Sequence, residues 1–300
     1  MVQYARRVFE STHETGSTPY RGNAISHTAR QQATGIRTLW RGNRPPAVSR
    51  YECQLIDAPA RDSGISVIAP DRPGYGLTQP RHDQSLCAWT SDIAALADHL
   101  RIDRFCVVGV SGGGPCALAC AHEMPERVMT AGLVASLGPV YEESLRTAMN
   151  WPSRVAFYLA NNAPSLFKLV VGQPAMQLAR IRPELLIRML AAINGGPDKR
   201  ILLEPPILRA FTFSIQACFQ QGALGSMQDL RIFRQPWGIE FGDIRQPVYL
   251  WHGDLDKVVP LDHSRHLHRH LPHSKFDTVF HRQINPFFIH HRSTYVMLGS

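Results

Sequence analysis

A serine lies inside a Gly-x-Ser-x-Gly run, with Ser111 at the centre and Gly109 and Gly113 on either side. An apolar, β-prone segment precedes the run, and a segment rich in Ala, Leu and Cys with helical character follows it. The two glycines suit a sharp, strained strand-to-helix turn, because a Cβ atom at either position would collide with neighbouring backbone. Such a turn, a nucleophile elbow, presents the serine hydroxyl at the end of a sheet. The run therefore predicts that Ser111 is a nucleophile.

Gly112, the residue after this serine, is predicted to lie in the first turn of the following helix. The first N–H groups of a helix have no acceptor within the helix, and the helix dipole favours negative charge at that end. We therefore expect the Gly112 N–H to donate to the oxyanion that forms when a serine attacks a carbonyl group.

The length and composition indicate a globular chain with a substantial core. Three hundred residues, 44% of them hydrophobic, fit one large α/β domain with an insertion, or two small domains. No run approaches the roughly 18 apolar residues of a membrane span, and the N-terminus lacks the apolar stretch of a secretory signal. The six cysteines show neither a Cys-x-x-Cys pair nor a metal-ligand spacing. Reduced thiols, a cytoplasmic location, no metal and no membrane span are therefore predicted.

The net charge of +8 is concentrated at the N-terminus. Residues 1–50 hold eight Arg and two Glu, and nothing in the chain resembles a nucleic-acid-binding module. No nucleic-acid partner is therefore predicted. An Arg-rich, Ser/Thr-rich and acid-poor N-terminus also matches an organellar transit peptide, which would change the predicted location. The alternative is a poorly ordered, irregular basic extension.

From residue 51 onward, strand-like and helix-like segments alternate, which predicts a mostly parallel sheet covered by helices on both faces. Residues 141–241 interrupt the alternation, being rich in Leu, Ile, Phe and Met at helical spacing, and we interpret them as an inserted helical cap. Residues 51–140 and 242–300 would then form one α/β core. The predicted core elements are helix 51–61, strand 65–70, helix 86–100, strand 104–110, a helix to residue 122, strand 127–136, strand 247–253, helix 262–271 and strand 275–280.

Three motifs in this order resemble the α/β-hydrolase superfamily, over roughly residues 51–281. They are Asp-Arg-Pro-Gly-Tyr-Gly at 71–76, the serine run at 109–113 and His-Gly-Asp-Leu-Asp-Lys-Val-Val-Pro at 252–260. The resemblance implies an α/β fold, a doubly wound, mostly parallel sheet with a helical cap, and a catalytic triad in the chain order Ser, Asp, His. The serine at the nucleophile position argues against haloalkane dehalogenase and epoxide hydrolase chemistry, for which the superfamily uses a carboxylate.

The resemblance places the triad acid at Asp256, which would orient the imidazole that activates the serine. Asp254 is the local competitor for this role. A purely structural alternative is that Asp256 caps the helix that follows, although Asp262 could cap that helix instead.

The position of the histidine departs from the family pattern. Family members usually carry Gly-His shortly after the last strand, but Pro286 stands where this histidine is expected. His281, directly after the predicted last strand, is the candidate base. His290 and His291 are the alternatives.

The early part of the chain also departs from the family pattern, because no early strand followed by His-Gly is recognisable. The best match for the second oxyanion donor is Gly42, in Arg41-Gly42-Asn43. In the loop at 71–76, the glycines are expected to serve turn geometry, and Asp71 and Arg72 are expected to form a structural ion pair.

These observations predict a serine hydrolase that cleaves a carboxylic ester or a related acyl bond through an acyl-enzyme on Ser111. No cofactor is implied, and the partner would be a small acyl substrate of apolar character. Aromatic residues of the cap could line its pocket or belong to ordinary core; they are Phe157, Tyr158, Phe167, Phe211, Phe213 and Phe219. The alternative is a catalytically silent relative that binds a ligand or a partner protein.

Overall fold

A computed structural model describes residues 60, 62, 65–81, 84–194, 198–279 and 294–298. The predictions made for residues 1–50, including Gly42, lie outside the described residues, as does almost all of the helix predicted at 51–61. The candidate bases His281, His290 and His291 lie outside them as well.

The described residues form a six-stranded sheet with the order β1-β6-β2-β3-β4-β5. Strands β2 to β5 are parallel to one another, and β6 pairs antiparallel with β1 and β2. The prediction of an α/β fold with a mostly parallel sheet is therefore confirmed. The strands are β1 (Ser66–Ile68), β2 (Phe105–Val110), β3 (Val128–Val134), β4 (Val248–Gly253), β5 (Ser274–Val279) and β6 (Thr294–Leu298).

Helices connect the parallel strands, as the alternating sequence pattern predicts. Helix α1 (Leu86–His99) leads to β2, α2 (Gly114–Glu123) joins β2 to β3, and the last described helix (Asp262–His270) joins β4 to β5. The side chain of Ser85 caps α1 by accepting a hydrogen bond from the Ala88 N–H at 3.0 Å. Leu86, Trp89 and Ile93 bury one face of α1 in the core.

A helical insertion, residues 143–233, lies between β3 and β4. Several of its helices begin with proline in the first turn, where no intrahelical hydrogen bond is lost. The described elements are α3 (Glu143–Ala148), α4 (Trp151–Asn162), α5 (Pro164–Phe167), a π-helical turn (Lys168–Gly172), α6 (Gln173–Ile181), α7 (Pro183–Asn194), α8 (Asp198–Leu202), α9 (Pro205–Cys218) and α10 (Leu224–Phe233). The core helix Asp262–His270 is therefore α11.

The helical insertion packs against the loop that follows β1. Tyr75 of this loop is buried in an apolar cluster with Phe211, Ile215 and Phe219 of the insertion. Gly74, at φ +83°, meets Gly225 of α10 so closely that a Cβ atom on Gly225 would lie 2.7 Å from the Gly74 carbonyl oxygen. Glycine at both positions thus lets two backbones touch at this junction.

Strand β6 is an addition to the predicted sheet, because the sequence analysis placed the last strand at residues 275–280. Its five residues, Thr-Tyr-Val-Met-Leu, are β-prone and hydrogen-bond along the edge of β2, with Met297 opposite Cys106 and Tyr295 opposite Val108. Within the described part of the chain, no helix is long and apolar enough to cross a membrane.

Candidate active site

Ser111 lies directly after β2, at the start of a single 3₁₀ turn (Ser111–Gly113) that leads into α2. Its backbone φ is +55°, in the left-handed region that residues with a side chain rarely adopt. Such strain costs roughly 1–3 kcal/mol and is found where a site requires it. Ser111 is buried, with 3% of its surface exposed. The turn thus has the backbone conformation expected of a nucleophile elbow.

Gly109 has the steric role that the sequence predicted for it. A Cβ atom here would lie against the carbonyl group of Gly113, 2.6 Å from its carbon, and 2.7 Å from the Gly114 Cα. Gly114 is equally confined, because a Cβ atom there would overlap the side chain of Ser136. The sharp turn therefore depends on glycine at position 109, and the close approach of the loop after β3 depends on glycine at position 114.

The loop after β3 connects the elbow to α11. The Leu137 N–H donates to the Ser111 carbonyl oxygen at 2.9 Å, and the Gly138 N–H donates to Nδ1 of His263 at 3.0 Å. This loop also contains Ala135 at φ +45°. The elbow, the β3 loop and α11 are thus joined by hydrogen bonds at one edge of the sheet.

Asp256 lies in the loop after β4, at this same edge, because β2, β3 and β4 are parallel neighbours. It is 5% exposed, and its Oδ1 accepts the N–H groups of Val258 (2.8 Å) and Val259 (3.0 Å). These bonds hold the carboxylate in a fixed orientation.

Asp256 does not cap the helix that follows it, which was the structural alternative for this residue. The N-cap of α11 is Leu261, with no side-chain cap hydrogen bond. Asp262 stands in the first turn of α11 and pairs with Arg265 at 3.1 Å. Asp254, the competitor for the acid role, is half-buried, and its Oδ1 has no hydrogen-bond partner in the described part of the chain.

Two buried histidines near this edge serve the fold. His252 Nε2 lies 2.7 Å from the Val259 carbonyl oxygen and must donate to it, so Nδ1 accepts from the Ser264 hydroxyl at 2.6 Å. His263 Nε2 likewise donates to the Leu145 carbonyl oxygen at 3.1 Å. Among the described residues, no histidine hydrogen-bonds to Ser111.

Burial lowers the pKa of both rings, that of His252 to about 4 and that of His263 to about 3, so both are neutral at pH 7. For His263, the nearby His252 lowers the pKa further.

Replacing His263 with glutamine is expected to flatten the dependence of stability on pH. Unfolded histidine binds a proton near pH 6.5, whereas folded His263 binds one only near pH 3. The folded state therefore loses no stability from this group above about pH 6.5 and loses it progressively as the pH falls toward 3, with a loss of about 2 kcal/mol by pH 5. The glutamine amide can keep both hydrogen bonds but does not titrate.

Urea denaturation at pH 5 and pH 7.5 measures this effect as the change in unfolding free energy. We expect H263Q to lose about 2 kcal/mol less than wild type between the two pH values. His273, which is exposed, provides the matched control, and H273Q should behave as wild type. Equal losses in wild type and H263Q would contradict the assignment.

The predicted ion pair of Arg72 has a different partner. Arg72 pairs with Asp229 of α10 at 2.6 Å, whereas the sequence favoured Asp71. Asp229 and Tyr75, whose hydroxyl donates to Asp229 at 2.6 Å, were not predicted as site residues. They lie 154 positions apart in the chain, so no local signal joins them.

The candidate pocket aromatics of the insertion divide into two groups. Four are buried in packed apolar clusters and are core residues, whereas the other two are largely exposed, at 61% and 44%. The buried four are Phe157, Phe167, Phe211 and Phe219, and the exposed two are Tyr158 and Phe213. In the described part of the chain, no three His, Cys, Asp or Glu side chains are placed to hold a metal ion.

A family model described as alpha/beta hydrolase fold matches residues 46–286, so the chain belongs to this family. It is 30% identical over 210 residues to 2-hydroxy-6-oxo-2,4-heptadienoate hydrolase of Pseudomonas putida, covering 68% of this chain and 66% of that one. It is 28% identical over 243 residues to pimeloyl-[acyl-carrier protein] methyl ester esterase of Aromatoleum aromaticum, covering 80% and 88%.

A solved structure of a hydrolase from Pseudomonas aeruginosa aligns with a TM-score of 0.50 at 17% identity, covering 71% of each chain, and supports the fold. The chain spans 66% of the length of the heptadienoate hydrolase and less of several other relatives. The relatives with named activities are hydrolases.

Proposed function

We propose that this protein is a serine hydrolase that cleaves a carboxylic ester or a related acyl bond through an acyl-enzyme on Ser111. The observation that carries the proposal is the strained elbow. A buried serine at φ +55°, between a parallel strand and the N-terminus of a helix, has the backbone conformation and the place in the fold that a nucleophile elbow requires.

In the proposed mechanism, His281 removes the proton of the Ser111 hydroxyl as its oxygen attacks the substrate carbonyl carbon. The Gly112 N–H, and with it that of Gly42, donates to the oxyanion of the tetrahedral intermediate. The protonated imidazole then gives its proton to the leaving alcohol, and the C–O bond to that alcohol breaks. A water molecule, deprotonated by the same imidazole, hydrolyses the acyl-enzyme and restores the serine.

Asp256 is proposed to orient the imidazole and to stabilise its protonated form. Two features support this assignment. The Asp256 carboxylate is buried and anchored by two backbone N–H groups in the loop after β4. His281 follows the end of β5 at Val279 by two positions in the sequence, and β5 is the parallel neighbour of β4.

The helical insertion is proposed to act as a cap over this edge of the sheet and to bind an apolar acyl group. The substrate class rests on the elbow and on two relatives, whose names describe hydrolysis of a methyl ester and of a heptadienoate. The fold itself does not name a substrate.

Reaction with a fluorophosphonate probe tests the proposal, because the probe phosphonylates only an activated serine. We expect the wild-type protein to be labelled, S111A to be unlabelled, and H281A to react at least about 100-fold more slowly. H290A is the matched control and should react as wild type. The rates of hydrolysis of p-nitrophenyl esters with acyl chains of two to eight carbons would then show which chain length the protein prefers.

The second candidate is a catalytically silent relative that binds a ligand or a partner protein. Pro286 at the position where the family carries histidine favours it. A folded wild-type protein that remains unlabelled would support this candidate and overturn the hydrolase proposal.

A further inference from the structure

A buried polar cluster joins the helical insertion to the back of the elbow. It consists of Arg72 and Tyr75 from the loop after β1, Asp229 from α10, and Gly112 and Cys116 around the start of α2. The exposed fractions of Arg72 and Asp229 are 6% each. The mechanism above uses only Gly112 of these residues.

Both terminal nitrogens of the Arg72 guanidinium make contacts, and each contacts a different part of the cluster. One nitrogen, Nη2, donates to Asp229 Oδ2 at 2.6 Å, and this oxygen also accepts the Tyr75 hydroxyl at 2.6 Å. The other, Nη1, lies 3.4 Å from the Gly112 carbonyl oxygen and 3.2 Å from Cys116 Sγ. Because the guanidinium is planar and rigid, a contact that fixes the position of Nη2 also fixes that of Nη1.

Burial disfavours the charge on Arg72, but Asp229, Cys116 and Tyr75 together outweigh this effect, and the pKa of Arg72 is raised. The cation is therefore permanent. A buried cation of this kind is costly to leave without its carboxylate, so the pair resists separation of α10 from the core.

Gly112 is the residue whose N–H is the proposed oxyanion donor, and its carbonyl group is the one that Arg72 contacts. The N–H and the carbonyl group of Gly112 belong to the two peptide planes that meet at its Cα, so fixing the carbonyl narrows the φ and ψ values through which the N–H can reorient. Oxyanion stabilisation is sensitive to such placement, since losing one donor costs about 100- to 1000-fold in rate.

We propose that Arg72 is a positioning residue that holds the Gly112 carbonyl group in the elbow. Asp229 then couples this contact to the packing of the helical insertion against the core. The proposal deepens the proposed function and rests on it for its effect on rate. Its structural part, the restraint of the elbow by the insertion, does not depend on turnover.

The insertion offers a matched control in Gln221, which touches the same loop but not the elbow. Its side-chain amide donates to the carbonyl oxygens of Gly76 (2.7 Å) and Thr78 (2.8 Å). Q221A therefore weakens the packing of the insertion against the core but leaves the contacts of Arg72 with Asp229 and Gly112 in place.

The experiment compares wild type, R72K, D229N and Q221A in ester hydrolysis. A lysine at position 72 keeps the positive charge beside Asp229, but its single ammonium group cannot contact Asp229 and the Gly112 carbonyl oxygen at the same time. We expect R72K and D229N to lower kcat at least about tenfold with KM within about twofold, because the oxyanion forms only in the transition state. Q221A should keep the wild-type kcat even where it lowers the melting temperature.

Amide hydrogen exchange of the peptide that contains residues 112–114 supplies a readout without turnover. Exchange in R72K should be at least about tenfold faster than in wild type, and exchange in Q221A should be unchanged there. If wild type hydrolyses no ester, the proposed function fails and the exchange data decide the positioning role. Wild-type exchange in R72K, or an equal increase in Q221A, would overturn the proposal. Y75F, which loses one hydrogen bond and no charge, takes the place of D229N if that variant does not fold.

Discussion

An alanine at position 109 is expected to destroy the elbow. The added Cβ atom would meet the Gly113 carbonyl group and the Gly114 Cα at 2.7 Å or closer, and both are backbone atoms that no side-chain rotation can move. Relief requires β2 and α2 to separate, and their side chains, including Val107 and Leu118, are fully buried. We expect a loss of about 3 kcal/mol or more in unfolding free energy, and no fluorophosphonate labelling of the protein that remains folded.

Gly132 in β3 provides the matched control. It is also a buried strand glycine, but a Cβ atom there would meet side chains and not backbone, with Val108 Cγ2 at 3.1 Å and Trp251 Cζ3 at 3.6 Å. Urea denaturation and probe labelling of G109A and G132A measure the difference. Comparable stability and labelling in the two variants would show that the turn tolerates a side chain, which would contradict the geometry described for the elbow.

The core elements could be predicted because their signals are local. Leu86, Trp89 and Ile93 repeat at helical spacing, and the helix forms within one residue of its predicted end. The run from Phe105 to Val110 is continuously apolar, as expected for a strand that is buried on both faces. Patterns of this kind need no knowledge of the rest of the chain.

Contacts between distant segments could not be predicted in this way. Strand β6 carries β-prone residues, but its place between β1 and β2 depends on pairing with residues almost 200 positions earlier. The partner of Arg72 is another example, because Asp71 is adjacent in sequence whereas Asp229 reaches it only through the packing of α10. Adjacency in the sequence therefore did not predict the ion-pair partner of this buried arginine.

The acid of the proposed triad illustrates an intermediate case. The spacing of the motif placed two carboxylates, Asp254 and Asp256, after β4, and sequence alone could not separate them except through the family resemblance. The structure distinguishes their surroundings. Oδ1 of Asp256 accepts two backbone N–H groups and the residue is buried, whereas Asp254 is half-buried. An anchored carboxylate suits a group that must hold an imidazole in one orientation.

Replacing Asp256 with asparagine is therefore expected to remove activity while keeping the fold. The amide oxygen can still accept from the N–H groups of Val258 and Val259, so the loop after β4 keeps its conformation. The negative charge is lost, and an amide N–H facing the imidazole favours the wrong tautomer. We expect kcat for ester hydrolysis to fall by about 10³- to 10⁴-fold, with a melting temperature near that of wild type.

D254N is the matched control, since it makes the same chemical change two residues away in the same loop. It should retain kcat within about threefold if Asp256 is the acid, because a carboxylate that does not contact the imidazole contributes little to its orientation. The reverse pattern, with D254N inactive and D256N active, would transfer the acid role to Asp254 and leave the anchored carboxylate of Asp256 with a structural role in the loop. Equal loss in both variants, with unchanged melting temperatures, would mean that the imidazole is held by the combined negative charge of the loop, since neither carboxylate alone would then account for its orientation.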